Sequence, residues 1–163
     1  SMAVFSGIAR LDYMWNRIRV QGGAYGAFAV FGRSGNVYLG TYRDPNLRES
    51  LDAFDQMADY YRQFDPGEKE MSKYIIGTIS QLASPLTPSM KGNIAASRYI
   101  SHISQEDIQK NRDEVLNTSS GQIRDIAEIL DAMMHMDRYC VLGNENRIKE
   151  ESELFGELVK VFE

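Results

Sequence analysis

Apolar residues recur at every third or fourth position near the start of the chain. Between residues 4 and 18 they are Phe5, Ile8, Leu11, Trp15 and Ile18. This spacing places them on one stripe of an amphipathic helix. The pattern therefore predicts a first helix that ends near Arg19 and buries this stripe.

Two short runs rich in aromatic and β-branched residues follow this helix. Residues 27–31 and 37–42 flank the polar connection Arg33-Ser34-Gly35-Asn36, a pattern typical of a β-hairpin. A glycine-rich segment, residues 21–26, lies between the helix and the hairpin. We predict that its glycines cap the helix and turn the chain into the sheet.

All four prolines follow a residue whose short side chain carries an oxygen atom, in the pairs Asp44-Pro45, Asp65-Pro66, Ser84-Pro85 and Thr87-Pro88. Proline lacks the N–H that a first helical turn leaves unpaired, and the preceding oxygen can accept from later N–H groups. These pairs are typical of helix starts. We expect helices with apolar stripes over residues 47–61, 71–82 and 89–100.

Two further helix starts come from the spacing of polar residues. Ser104 with Asp107, and Ser119 with Gln122, have the spacing of a capping box. The second of these helices presents an apolar stripe made by Ile123, Ile126, Ala127, Leu130 and Met133.

A short apolar run after these helices predicts a third strand. Residues 139–142 end at a glycine, so we expect a buried strand that carries Cys140 in the core. Residues 144–162 predict a further helix capped by Asn144. The fold is then α+β, with a helix-rich layer packed on one face of a small antiparallel sheet. A sheet of three strands is too small to cover the apolar faces of so many helices, so we expect further strands upstream of residue 1.

The composition and charge of the chain exclude several classes of function. The chain has 163 residues, 43% apolar and 25% charged, which fits one folded domain. Its basic residues are scattered and its net charge is −5, so we expect no nucleic-acid partner. No apolar run approaches the roughly 20 residues that a transmembrane helix needs, so we expect no membrane partner.

The cysteine indicates the cellular compartment, and the first two residues indicate whether the sequence is part of a longer protein. Cys140 is the only cysteine, which excludes an internal disulfide and favours a reducing, cytoplasmic compartment, or an organelle matrix in a eukaryote. Ser1 ahead of Met2 resembles the remnant of a cleaved tag, so we expect a piece of a longer protein.

Metal and phosphate motifs are missing from the sequence. His102 and His135 are the only histidines, and neither belongs to an H-E-x-x-H or H-x-x-E-H arrangement, so we expect no zinc site in this chain. The glycine-rich segment follows a helix and opens a strand, which is the reverse of a phosphate-binding loop.

The glycine-rich segment has specific neighbours. Residues 18–26, Ile-Arg-Val-Gln-Gly-Gly-Ala-Tyr-Gly, and residues 42–46, Tyr-Arg-Asp-Pro-Asn, resemble the C-terminal domain of insulinase/pitrilysin-type zinc metallopeptidases, especially the presequence protease branch. Residues 13–19 are similar to that family's aromatic-Leu-Trp-Asn-x-Ile-Arg helix end. Residues 75–79 and 88–92 resemble its following helix pair.

The resemblance implies a site shared between two halves of one polypeptide. In that family the N-terminal half carries the H-x-x-E-H motif that binds Zn²⁺, and the C-terminal half adds an arginine and a tyrosine. The matching residues here are Arg19 and Tyr25. Residues 1–163 would then be a single domain, the C-terminal part of a multi-domain peptidase. Its partners would be the N-terminal half and an unstructured peptide.

The proposed roles also follow from side-chain chemistry. The guanidinium of Arg19 can hold a peptide carbonyl, and the hydroxyl of Tyr25 can donate to an oxyanion on the scissile carbonyl. Gly22, Gly23 and Ala24 would bind substrate, because small residues let an extended peptide approach a strand edge. The structural alternatives are a helix-terminal cation for Arg19 and a half-buried strand aromatic for Tyr25.

Three functions remain open at this point. The first is the site-completing part of a zinc peptidase that degrades unstructured peptides in a closed chamber. The second is a non-catalytic scaffold or peptide-binding subunit of the same superfamily, and the third is a helical adaptor. In the first case the isolated chain should cleave nothing, and its uncovered sheet edge and apolar faces favour self-association.

Overall fold

The chain begins with a continuous helical rod whose winding changes partway along it. A computed structural model describes residues 1–32 and 35–161; in it α1 covers Met2–Ile8 and a π-helical stretch, the π segment, covers Ala9–Gln21. The predicted first helix is therefore confirmed, and it ends slightly beyond Arg19.

The π winding changes which residues of this rod are buried. Leu11 and Trp15, which the predicted stripe buries, are 56% and 44% exposed. Hydrogen bonds in a π-helix run from residue i to i+5, giving roughly 4.4 residues per turn, so its buried face recurs every four or five residues. The predicted stripe is therefore wrong at these two positions. The buried side chains of the rod are Val4, Phe5, Ile8, Ala9, Tyr13, Met14 and Ile18.

The predicted hairpin is confirmed. It consists of β1 (Gly26–Phe31) and β2 (Val37–Tyr42), which pair antiparallel with Gly26 opposite Tyr42. Within the described residues these two strands make up the whole sheet. Residues 33–34 of the predicted connection lie outside the described residues.

The two faces of the hairpin differ in character. Its inner face packs against the core through Ala27, Ala29, Phe31 and Leu39. Its outer face carries exposed aromatic side chains, namely Phe28, Tyr38 and Tyr42. β1 contacts both the π segment and α1, so the hairpin lies directly against the rod.

Helices make up the rest of the chain. They are α2 (Arg48–Asp55), α3 (Met57–Arg62), α4 (Glu68–Leu82), α5 (Pro88–Ile100), α6 (Gln105–Leu116), α7 (Ser120–Met134) and α8 (Glu145–Glu150). The structure is 62% helical, which confirms the helix-rich α+β class. The helix predicted around residues 47–61 is split at Gln56 into α2 and α3. No helix among the described residues is both long and apolar enough to cross a lipid bilayer.

The polar helix starts are confirmed in part. Both capping boxes form, at Ser104 and at Ser119, and Thr87 caps α5 ahead of Pro88. The other three proline pairs do not sit at helix starts: α2 and α4 begin shortly after their prolines, and Ser84-Pro85 lies in the loop before α5. At Asp44 the reason is visible, because its carboxylate accepts from other groups and shapes a turn.

The predicted third strand is wrong. Residues 139–142 have no regular structure, and Cys140 is exposed instead of buried. A strand needs a neighbour to complete its hydrogen bonds. Tyr139 instead packs its ring 6.0 Å from that of Phe155 and donates its hydroxyl to the Leu154 carbonyl. The final predicted helix is confirmed only over α8, where Asn144 accepts the capping hydrogen bonds.

Phe5 connects the two layers of the core. Its ring centroid lies 5.0 Å from that of Phe31 on the hairpin and 4.8 Å from that of Tyr61 on α3. The helical side of the core continues into α7, whose predicted stripe is confirmed by the buried residues Ile123, Ile126, Ala127 and Leu130. The rod therefore lies between the hairpin and the helical layer.

A buried hydroxyl gives a test of this packing. Tyr61 is fully buried, yet its hydroxyl has no hydrogen-bond partner among the described residues, whereas Tyr13 donates to the Ala53 carbonyl at 2.6 Å. We expect Tyr61→Phe to leave the free energy of unfolding unchanged or raise it by up to about 1 kcal/mol, because no hydrogen bond is lost. Tyr13→Phe, the control, should lower it by about 1 kcal/mol. Urea unfolding measures both; a larger loss for Tyr61→Phe would refute this packing.

Candidate functional site

The predicted site residues lie where the π segment ends and β1 begins. Gly22 is the C-cap of the π segment, and Gly23 has a φ of +78°, the left-handed conformation that glycine adopts at low cost. The Gly23 N–H donates to the Arg19 carbonyl at 2.9 Å, and the Ala24 N–H to the Ile18 carbonyl at 3.2 Å. The predicted glycine cap and turn are confirmed.

Gly22 occupies a position with no room for a side chain. A Cβ atom there would lie 2.6 Å from the Ile18 carbonyl oxygen, which belongs to the backbone and cannot rotate away. Gly23 is exposed and Ala24 is buried. The N–H groups of all three residues donate to carbonyl groups of the π segment, so they are occupied by the cap.

A polar loop after β2 ties this turn to the hairpin. The Asn46 side-chain amide donates to the Gly22 carbonyl. Asp44 accepts from the Asn46 N–H at 3.0 Å and from the hydroxyl of Ser50, which is buried, at 2.7 Å. The helix end and the strand end are therefore joined by a chain of hydrogen bonds between residues distant in sequence. We call residues 22–25 together with 43–46 the junction.

The structure brings Arg19 and Tyr25 together at the junction. The Arg19 guanidinium carbon lies 4.3 Å from the ring centroid of Trp15 and 5.9 Å from that of Tyr25. Both distances are within the range of cation–π attraction. Among the described residues neither the guanidinium of Arg19 nor the hydroxyl of Tyr25 has a hydrogen-bond partner. Tyr25 is 64% exposed, so it is not the half-buried strand aromatic of the alternative.

Two residues without a predicted site role complete this cluster. Trp15 supports Arg19 from one turn earlier in the π segment, and the motif of the helix end contains it. Arg43 places its guanidinium carbon 6.0 Å from the Tyr25 centroid and 5.5 Å from the Tyr42 centroid. The Tyr-Arg-Asp-Pro-Asn motif contains Arg43, but sequence spacing alone gives no sign that it meets Tyr25 in space.

The tyrosines with a raised pKa lie outside the junction. Burial is the main cause that raises the pKa of Tyr13, Tyr60, Tyr61 and Tyr74. The hydroxyl of Tyr60 also donates to the carboxylate of Asp12 at 2.7 Å, which raises the pKa of Tyr60 further. These phenols stay protonated at neutral pH, and they form part of the core and its margin.

The junction has no ligand set for a metal. Within residues 1–32 and 35–161, no group of three or more histidine, cysteine, aspartate or glutamate side chains is placed to hold a metal ion. His102 follows α5 and His135 caps α7, so the two histidines belong to different helix ends. The described residues therefore do not fit a zinc site.

Known proteins match this chain over most of its length. Residues 1–143 match the family model described as PreP C-terminal domain. The chain is 42% identical over 161 residues to Protein HypA of Clostridium perfringens, covering 99% of this chain and 16% of that protein. It is 38% identical over 123 residues to Presequence protease 1, chloroplastic/mitochondrial, of Arabidopsis thaliana, covering 74% and 11%. It is 29% identical over 150 residues to the mitochondrial presequence protease of Drosophila melanogaster, covering 90% and 14%.

These similarities place the chain in a peptidase family. It belongs to the PreP C-terminal domain family, which confirms the resemblance seen at residues 18–26 and 42–46. The chain spans 11% to 16% of the length of these three relatives, a small part of each.

The lack of space at Gly22 can be tested by stability. We expect Gly22→Ala to lower the free energy of unfolding by about 1–3 kcal/mol, because the new methyl group would press on the Ile18 carbonyl. Gly77→Ala in α4 is the control: nothing lies within 4 Å of its added Cβ, so alanine should raise stability by about 0.5–1 kcal/mol. Urea unfolding of both variants measures this, and equal effects would contradict the tight turn.

Proposed function

We propose that this chain is the C-terminal, site-completing part of a zinc-dependent peptidase that degrades unstructured peptides in a closed chamber. The observation that carries the proposal is that Arg19 and Tyr25 are both exposed, with the Arg19 guanidinium carbon 5.9 Å from the Tyr25 ring centroid. Among the described residues, neither side chain makes a hydrogen bond. Residues 1–163 are proposed to form a single domain in the C-terminal part of a longer, multi-domain parent protein.

Arg19 is proposed to hold the substrate backbone. The cation–π contact with Trp15 restrains the guanidinium, and its N–H groups remain available for a peptide carbonyl. A fixed donor loses less conformational freedom on binding than a mobile one, which favours affinity. This role explains why a helix-terminal arginine packs on an exposed tryptophan.

Tyr25 is proposed to donate its hydroxyl to the oxyanion that forms on the scissile carbonyl. The charge on that oxygen develops in the transition state, so a donor aimed at it lowers the barrier. The exposure of Tyr25 leaves its hydroxyl accessible to substrate. Proximity to Arg19 adds a positive environment for the same oxyanion.

Gly22, Gly23 and Ala24 are proposed to shape the substrate-binding edge. Their N–H groups are engaged in the cap, so their contribution is the compact turn that lets a peptide strand approach β1. The hairpin supports this idea because, within the described residues, its two strands pair only with each other.

Zinc is proposed to belong to the N-terminal half of the parent, since the described residues of this chain do not fit a metal site. The proposed partners are thus that N-terminal half and an unstructured peptide, with no role for nucleic acid or membrane. The uncovered faces support self-association of the isolated chain: α5 buries no residue, and Ile100 is 75% exposed. A cytoplasmic compartment or an organelle matrix is proposed, the latter because the names of several relatives give mitochondria or chloroplasts.

The role of Tyr25 is tested in the full-length parent. Tyr25→Phe removes one oxyanion donor, so we expect kcat on an unstructured reporter peptide to fall roughly 10²- to 10³-fold. Tyr38→Phe is the matched control, because it removes an exposed hydroxyl from the outer face of the same hairpin, and its kcat should match the wild type. Unchanged cleavage by Tyr25→Phe would refute the site, whereas no cleavage by the wild-type parent would favour a non-catalytic scaffold or peptide-binding subunit.

The division of the site between two halves is tested by metal removal and by isolation of the chain. We expect a zinc chelator to abolish cleavage by the parent and added Zn²⁺ to restore it. The purified 163-residue chain should cleave nothing with or without Zn²⁺, because its described residues lack a metal-ligand set. Cleavage by this chain that survives protease-inhibitor controls would overturn the shared site.

A further inference from the structure

Arg43 has a backbone conformation that calls for an explanation. Its φ is +49°, in the left-handed region that glycine occupies easily and that arginine rarely adopts. The residue lies just after β2, where its carbonyl accepts the Tyr25 N–H at 3.2 Å. If only a turn were needed, glycine or asparagine would serve at lower cost. The arginine side chain is therefore the part to explain.

The surrounding loop maintains this conformation. Asp44 accepts from the Asn46 N–H and from the buried Ser50 hydroxyl, and the Asn46 amide donates to the Gly22 carbonyl. Strained backbone persists where neighbouring hydrogen bonds hold it, and such sites are often functional. The loop thus keeps Arg43 beside Tyr25, which immediately precedes β1.

The Arg43 side chain reaches the aromatic rings of the junction. Its guanidinium carbon lies 5.5 Å from the Tyr42 centroid and 6.0 Å from the Tyr25 centroid. Among residues 1–32 and 35–161 it pairs with no carboxylate, so these rings are its partners. The Tyr25 ring also meets Tyr42 edge-on, with centroids 6.1 Å apart and planes at 74°. Tyr25 is thus contacted by Arg19, Arg43 and Tyr42.

Building on the proposed role of Tyr25, we infer that Arg43 is a positioning residue that holds the Tyr25 ring in the orientation from which its hydroxyl donates to the oxyanion. An exposed tyrosine without a hydrogen-bond partner has few restraints on its ring. Cation–π contacts supply such a restraint without occupying the hydroxyl. Arg19 supplies one such contact at 5.9 Å, and Arg43 adds a second at 6.0 Å to the same ring.

The test uses the full-length parent with Arg43→Gly. Glycine relieves the left-handed strain and removes the guanidinium, so the thermal midpoint should equal or exceed that of the wild type. We expect kcat to fall about tenfold while KM changes less than about twofold, because only the transition-state donor is misplaced. Arg43→Lys keeps the charge but not the planar stacking, so its kcat should lie between the two.

His102→Gly is the matched control, because His102 is also left-handed, with a φ of +53°, and lies after α5 away from the junction. It should leave kcat unchanged. Wild-type kcat in Arg43→Gly would overturn the inference. So would a loss of kcat accompanied by a lower thermal midpoint, since that would indicate a structural role.

A double-mutant cycle separates this inference from the proposed function. In a Tyr25→Phe background, Arg43→Gly should cause no further loss of kcat, because Arg43 acts through the Tyr25 hydroxyl. A second tenfold loss there would overturn the positioning role. If Tyr25→Phe itself keeps wild-type kcat, the proposed function fails; if it loses kcat and Arg43→Gly does not, only the Arg43 inference fails.

Discussion

The hydrogen bond from Asn46 to Gly22 ties the end of the π segment to the loop after β2, the two chain segments of the candidate site. The carbonyl groups at a helix C-terminus lack partners within the helix, and here the Asn46 side chain supplies one to Gly22 from a loop 24 residues away. Asp44 and Ser50 hold the same loop from its other side. Because Arg19 precedes this point and Tyr25 follows it, their separation depends on how firmly the loop is held. The site is therefore a property of the junction as a whole.

The packing of the rod sets the direction from which Arg19 enters this junction. Phe5, Met14 and Ile18 are buried along one face, so the rod cannot turn about its axis without breaking the core. Trp15 and Arg19, the residues after the buried Met14 and Ile18, are exposed and contact each other beside the strand end. The buried residues and the candidate-site residues of the rod are thus fixed by the same winding.

Much of the fold could be predicted from the sequence because its signals are local. Capping boxes at Ser104 and Ser119, the glycine turn and the alternating hairpin strands each depend on a few neighbouring residues. The π winding could not be predicted, because periodicity analysis assumes 3.6 residues per turn and only the packed core decides otherwise. The prediction of a strand over residues 139–142 was wrong for a related reason, because an apolar run becomes a strand only beside another strand.

In the candidate site, too, residues close together in sequence could be predicted, whereas contacts between distant residues could not. Arg19 and Tyr25 are separated by one turn, so a short motif could identify both. Arg43 is far from them in sequence, and only the antiparallel pairing of β1 with β2 brings it to the Tyr25 ring. The contact between Trp15 and Arg19 was hidden for another reason, because the helical pattern assigned Trp15 to the core.

The surface position of Cys140 has a practical consequence. It is the one thiol in the sequence, and it lies exposed in the irregular segment after α7. Under oxidising conditions two copies can become linked covalently through it, so a reductant would be needed to keep purified material homogeneous. The same thiol offers a single attachment point for a maleimide fluorophore on an otherwise unaltered chain.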